Sequence, residues 1–409
     1  MAEYLASTRT HGSCISLYYG LDPGRPTPHR LIQMRTKLAV IRACLTVIPM
    51  ALAGGVFAAA NYPPSTVIPG MTFDMATLRN VAPGNAVYAD DSDNWTITWA
   101  DDNHQYASFG DGEGFRTANT VRGSLGIARI EGDKDNYSAF DVFKSGTETG
   151  GCGGKSVGIL AADGDLYLLR AGTTSNSSAF QRTELFKSTD KGKSWSAAGV
   201  KWLDRDFIGS KGFFSPSFLQ FGKDYAGARD EFVYIYAPEE TTSVDSDDWN
   251  VQTPGAISLI RAPRVALTDQ ASYEFFTGLD GSGNPLWTTD VNSRAPVFED
   301  PVNGIMRTSV SYNAGLGRYL LITQQVNRFR NSNFHIGIYE APEPWGPWHT
   351  ILFANAALAG PGLNTGRKTV FWNFSNKWLS PDGKSFVMVY TGPGADQWGT
   401  LEGTFQTPP

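Results

Sequence analysis

Cysteine is nearly absent from this chain, at 3 in 409 residues. Cys14 and Cys44 fall in an N-terminal region that reads as removable, which leaves Cys152 alone and excludes a disulfide framework. Histidine is almost as scarce, at 5, and no two histidines stand at zinc-site spacing. A P-loop, a dinucleotide-binding glycine run and a nucleophile elbow are all missing, so the common nucleotide-dependent and serine-hydrolase chemistries find no support. The net charge of −6 gives no basic footprint for nucleic acid or an anionic membrane. Helical periodicity is missing too: beyond residue 61 almost no segment repeats its apolar residues every three to four positions.

What is present suits a β-rich core. Aromatics make up 12% of the chain, with 11 Trp and 24 Phe, beside 44 Gly, a balance fitted to short strands and tight turns. The apolar runs 105–109, 165–169, 231–236, 318–322 and 385–390 recur between Gly, Asp, Asn or Pro. Each is expected to be an inner strand of one propeller blade. Five units over the length after residue 61 leave about 65 residues per blade, which predicts an all-β fold, a single β-propeller of five blades across 61–409. Ser188-Thr189-Asp190-Lys191-Gly192-Lys193-Ser194-Trp195 has the form of an Asp-box, a turn common in sialidases and other carbohydrate-active propellers. Asp190 and Ser188 are placed to bond amides across the turn, Gly192 permits a positive φ, and Trp195 plugs the hairpin into the core. Such turns sit away from active sites, so the motif speaks for architecture.

Met34-Arg35-Thr36-Lys37 begins a basic stretch, followed by a mostly apolar run to Phe57 and by Ala58-Ala59-Ala60. That order predicts a signal peptide at 34–60, with an over-called start or disorder at 1–33, and hence a secreted or periplasmic protein. Arg42 interrupts the apolar run, and an uncleaved anchor is the alternative.

Candidate chemistry concentrates between Tyr88 and Phe115. Residues 96–99 read as a strand, Asp101-Asp102-Asn103-His104 as its turn and 105–109 as the returning strand. The hairpin places Asp93 and Asp111 at one end, near the axis, where two carboxylates facing across a sugar would serve glycoside hydrolysis. The alternative is that Asp93 is a turn residue and Asp111 caps a glycine-rich loop. Trp95 and Trp99 are candidate stacking platforms, and Lys155, Arg307, Asn313 and Lys377 are candidate substrate-binding residues. His104 on the turn is the base that a lyase would need, with Arg307 or Arg170 neutralising a uronate. Asp90-Asp91-Ser92-Asp93 lacks the spacing and terminal Glu of a calcium loop, so no metal and no organic cofactor are predicted.

Trp99-Ala100-Asp101-Asp102 with Phe109-Gly110-Asp111-Gly112, the 221–230 run Phe-Gly-Lys-Asp-Tyr-Ala-Gly-Ala-Arg-Asp, the 311–319 run and Ala341-Pro342-Glu343-Pro344-Trp345-Gly346-Pro347-Trp348 carry a resemblance. Over 85–395 the chain resembles exported bacterial propellers long filed under a domain of unknown function, some of which are endo-D-arabinanases acting on mycobacterial-type arabinans. The resemblance implies a propeller fold and a catalytic aspartate pair matched here by Asp93 and Asp111. It leaves the sugar open, because function on such scaffolds lives in loops. The expectation is a monomeric, exported glycoside hydrolase acting on a polysaccharide, an arabinan-like glycan first. A polysaccharide lyase and a non-catalytic carbohydrate-binding propeller are the alternatives.

Overall fold

The computed structural model describes residues 61–408 except 90, 116–121, 146–153, 172–181, 210–211, 242–250, 326–334, 356–368 and 395. The expected leader at 34–60, the segment 1–33 and Cys152 lie outside the described residues. Among the described residues there is no α-helix, only strands and five short 3-10 turns.

Strands follow one another in antiparallel runs. Asp93–Trp99, Gln105–Gly112, Gly123–Glu131 and Ser138–Ser145 form one four-stranded sheet. Lys155–Ala162, Asp165–Ala171, Arg182–Ser188 and Ser196–Leu203 form the next. A larger sheet holds two such runs, one starting at Ser217–Gln220 and Phe232–Pro238, the other at Arg307–Asn313 and Arg318–Gln325. The two runs meet in a short parallel pair, Leu219 beside Val310. In the last sheet Val370–Phe374, Ser385–Thr391 and Trp398–Gln406 are completed by Gly70–Arg79 from the other end of the chain, with Met71 opposite Phe405.

The first strand of each run faces a common axis. Where its edge groups there lack a ladder partner, side chains meet them instead. Asn373 Nδ2 donates to the Trp95 carbonyl (2.6 Å), Asn94 Nδ2 to that of Ser156, Gln220 Nε2 to that of Ile159 (2.9 Å) and Ser309 Oγ to that of Trp372 (2.7 Å). The bonds pass from strand to neighbouring strand around the axis, a propeller-like arrangement. Side chains including Thr96, Ser217, Gln220, Ser311 and Asn373 fill the middle and leave about 10 Å³, close to the space of one water.

The apolar core lies between sheets. Tyr106, Leu125 and Ile127 of the first sheet pack on Ile159, Leu166 and Leu168 of the second. Trp95, Ile97, Phe109 and Ile130 pack on Val387, Val389 and Trp398 of the last. A second strand therefore meets a different neighbouring sheet on each face. The five apolar runs each lie in the second strand of their run, an inner position buried on both faces, while the strands at the axis are the polar ones just described.

One end of the axis is closed. The loop 222–225 crosses the far ends of the first strands: Asp224 N donates to the Trp99 carbonyl (2.7 Å) and Gly222 N to Asn376 Oδ1 (2.7 Å). Gly164 N donates to the Asp224 carboxylate (3.0 Å). The 188–195 turn has the bonding that its residues suggest. Gly192 N donates to Ser188 Oγ (2.9 Å), Ser194 N to Asp190 Oδ1 (2.9 Å) and Trp195 Nε1 to the Gly192 carbonyl (3.0 Å), with Gly192 at φ 82°.

Candidate active site

At the other end of the axis the first strands begin, and three of them begin irregularly. Asp93 lies opposite Gly110 but Thr96 opposite Ser108, so the strand carries one extra residue. The same surplus occurs between Ser156 and Gly158 and between Val370 and Asn373. Such bulges re-aim side chains next to active sites. Strict alternation would send Asp93 to the side of Trp95, which is core; the extra residue turns it away. Asn94 and Phe371, within two of these bulges, have φ of 60°, and Ser215, just before Ser217–Gln220, has φ 53°. Asp91 and Asp111 join them at 60° and 50°. Left-handed backbone at a non-glycine residue costs on the order of 1–3 kcal/mol, so each of these conformations is held in place by its surroundings.

Four of the expected residues meet here. Asp93 opens its strand, half-buried, with an oxygen facing Gly110, where a Cβ would approach to 3.1 Å. Asp111, on the returning strand, forms an ion pair with Lys155, the first residue of Lys155–Ala162. The Asp111 side chain is 41% exposed and that of Lys155 13%, so the pair sits at the rim with its carboxylate open to solvent. Arg307, the first residue of Arg307–Asn313, is 1% exposed. Its guanidinium donates from Nη2 to the Val157 carbonyl (3.2 Å) and lies 5.0 Å from the centre of the Phe371 ring, so it spans three strands. Nη1 has no hydrogen-bond partner among the described residues. Burial pushes this arginine down to about 9, and the charge of Asp93 opposes that fall.

The other expected residues lie elsewhere. Trp95 is fully buried among Phe109, Phe115 and Trp398 and cannot stack on a ligand. Trp99 closes the seven-residue strand that Asp93 opens, about 20 Å away at the closed end, with Nε1 on Asn103 Oδ1 (3.1 Å). Lys377 is at that end too, donating to the Asn103 carbonyl (2.7 Å). Asn313 is buried at the end of its strand and ties a turn, donating to the Gly383 carbonyl (2.8 Å) and accepting from Leu316 N (3.1 Å). His104 sits on the closed-end turn, its amide bonded to Asp102 Oδ1 (3.0 Å), so it cannot be a lyase base beside Arg307. Arg170 stands at the same end as Lys155, opposite Ser156, but its guanidinium is engaged outward, pairing with Glu184 (2.9 Å) and stacking on Phe186 at 4.2 Å.

Two supports of the open end went unread in the sequence. Arg122 pairs with Asp91 and donates from Nη2 to the Asp111 carbonyl (2.7 Å). Asp141 lies under the 113–115 segment, accepting from Phe115 N (3.0 Å) with Lys144 at 3.0 Å. Burial raises Asp141 to about 6, against the pull of Lys144 and of that amide bond. The sequence signal for Arg122 was a lone arginine four residues before a Gly-Ile-Ala strand core, too common to single out.

A family model described as "Domain of unknown function (DUF4185)" matches residues 158–361. No curated protein matches the chain in sequence. Among solved structures, the chain is similar to the alpha-L-arabinofuranosidase PaAbf62A from Podospora anserina, in complex with cellotriose, at TM-score 0.43 and 11% identity, over 84% of this chain and 98% of that one. It is similar to the catalytic domain of the Coprinopsis cinerea GH62 alpha-L-arabinofuranosidase at TM-score 0.45 and 9% identity, over 83% and 98%. Bacillus subtilis levansucrase in complex with oligosaccharides follows at TM-score 0.40 and 12% identity, over 80% and 86%.

Proposed function

We propose that this protein is an exported, monomeric glycoside hydrolase on a five-bladed propeller, with the 188–195 turn as an Asp-box, and that it cleaves an arabinan-like polysaccharide without an organic cofactor. The observation that carries the reading is the pair Asp93 and Asp111 at one end of the axis, on adjacent strands, Asp111 paired with Lys155 and Asp93 within electrostatic reach of the buried Arg307. The leader-like order of 34–60 supports export, and the resemblance over 85–395 supports the arabinan.

The two cations differ, and that difference divides the roles. Arg307 is fixed in a strand and buried, so it stays near Asp93 throughout the reaction and favours the carboxylate form. Asp93 then serves as base or nucleophile. Lys155 is a long side chain at a strand's first residue, facing a half-exposed carboxylate. A bound sugar displaces it and excludes water, and desolvation favours the protonated carboxyl. Asp111 then donates the proton to the leaving oxygen.

The test incubates the purified protein with arabinans and uronate-containing polysaccharides, following new reducing ends and the ultraviolet absorbance of unsaturated uronates. Hydrolysis gives reducing ends alone, reduced on the order of a thousandfold in Asp93→Asn and in Asp111→Asn. Absorbance rising with the reducing ends rejects hydrolysis in favour of elimination. Binding without any product makes the protein a carbohydrate-binding module.

A further inference from the structure

We propose that Arg122 is a positioning residue that sets the separation of Asp93 and Asp111, an inference resting on the reading of those two as the catalytic pair. Arg122 immediately precedes the strand Gly123–Glu131, outside the hairpin that bears both aspartates. One arm of its guanidinium pairs with the Asp91 carboxylate, and the other donates to the Asp111 carbonyl (2.7 Å). The first contact holds the segment leading into Asp93. The second holds the backbone of Asp111 itself.

Both anchored residues are in the left-handed region, Asp91 at φ 60° and Asp111 at φ 50°. Neither conformation is favoured by an aspartate left to itself. Aspartate tolerates this region better than most residues but does not prefer it, so the contacts that hold it there matter, and Arg122 is a group that touches both. The segments press directly on each other: a Cβ on Gly112 would collide with the Asp91 carbonyl and Ser92 Oγ. Ser92 Oγ also accepts from Gly114 N (2.8 Å), and the Ser92 carbonyl accepts from Trp95 Nε1 (3.1 Å). With the lower part of this contact tied by Ser92, Arg122 supplies the tie at the aspartates.

The choice of atoms matters. Arg122 bonds the carbonyl of Asp111 and leaves its carboxylate to Lys155. It therefore orients Asp111 without using the oxygens that chemistry requires. Only a planar fork reaches a carboxylate and a carbonyl on two segments at once; a lysine ammonium at the same place keeps one contact.

The experiment compares the full chain with Arg122→Lys and Arg122→Met by steady-state hydrolysis of arabinan, thermal unfolding and crystallography. Misplacement of a reacting group by about 1 Å costs on the order of 100-fold in rate, so Arg122→Met loses about that factor in kcat, with KM within about threefold. Arg122→Lys, keeping the contact to Asp91, recovers part of the loss. In the crystal structure of Arg122→Met, Asp111 leaves the left-handed region and the carboxylates move apart or together. A kcat equal to the wild type overturns the proposal, as does a change in KM alone, which would make Arg122 a substrate contact. Where Arg122→Met does not fold, Arg122→Lys decides by the same readouts. If the wild type cleaves no glycan, the catalytic reading of the pair fails separately. The crystal comparison then still decides the positional claim, since aspartates unmoved in the variant reject it.

Discussion

Lys155, the first residue of its strand, closes on Asp111, the next-to-last residue of a strand in the neighbouring sheet. The ion pair bridges two sheets at the rim of the opening. With the carboxylate 41% exposed, it contributes at most about 1 kcal/mol to stability. Its importance lies in what a substrate has to displace.

Lys155→Met removes that competitor. The expected outcome is a KM lowered by about threefold, a kcat within about twofold of wild type and a melting temperature nearly unchanged. Steady-state kinetics with a glycan that the wild type hydrolyses makes the check. A collapse of kcat at constant KM would instead place the ammonium in the chemical step.

Arg307 is expected to separate stability from activity. Its proton is held less tightly in the fold than in the open chain, because burial lowers it to about 9 from 12.5. A guanidinium keeps its proton in a protein, so the shift registers the penalty of holding this charge out of water and not a titration. Arg307→Met escapes the penalty, so at pH 7 its melting temperature equals or exceeds that of the wild type while hydrolysis is lost. A fall of many degrees, read by calorimetry, would make Arg307 a structural plug.

Asp141, by contrast, does titrate. Its folded value of about 6 lies above the ordinary 3.8. Between the two the native state binds the extra proton, and stability falls as pH rises through the window. Asp141→Asn lacks this slope. Its stability relative to wild type should improve by on the order of 2–3 kcal/mol between pH 4 and pH 7. Urea unfolding at the two pH values measures the difference; a constant offset would reject the account.

The hairpin at 93–111 was legible because its turn is local: Asp101 to His104 fold back on themselves, and two aspartates must then share an end. The strands were legible from apolar runs, but their order within each run was not. Hydrophobicity marks the strand with a neighbour on both faces, and here that is the second strand. The axis strands show the polar pattern of Thr96, Ser309 and Asn373, which mimics a surface. Trp99, Lys377 and Asn313 were misplaced for a related reason. A residue type suited to sugar binding says nothing about which end of a strand it occupies, and the closed end has its own polar needs. Trp95 faces the core while Asp93, two residues earlier, does not. A one-residue bulge made that difference, and no spacing rule announces it.

At the closed end the sequence placed a lysine where three aspartates converge. Lys191 Nζ meets Asp101 Oδ1 at 2.5 Å and also donates to the Gly164 carbonyl, while the Asp224 carboxylate accepts from Gly164 N. Asp163 stands beside them, paired with Arg264 at 3.1 Å. The hydrogen bond from Lys191 is the main cause that lowers Asp101, and burial raises Asp224, with the charges of Asp101 and Asp163 adding. Lys191→Met keeps an unbranched side chain at the same φ of 60°, so the backbone is spared and only the charge is lost. Because Asp101 is largely exposed, the cost is modest, about 0.5–1 kcal/mol at low ionic strength. Salt screens the repulsion left behind, so the cost shrinks toward zero near 1 M salt. The sign in pH follows from the lowered carboxyl: its contribution is present above about 3.8 and is lost as pH falls below that value. Hydrolysis should be untouched, because the opening lies at the other end of the strands. Chemical denaturation across salt and pH, with an activity assay alongside, tests all three. A variant that unfolds no more easily at low salt than at high salt would mean that the cluster is neutral without its lysine.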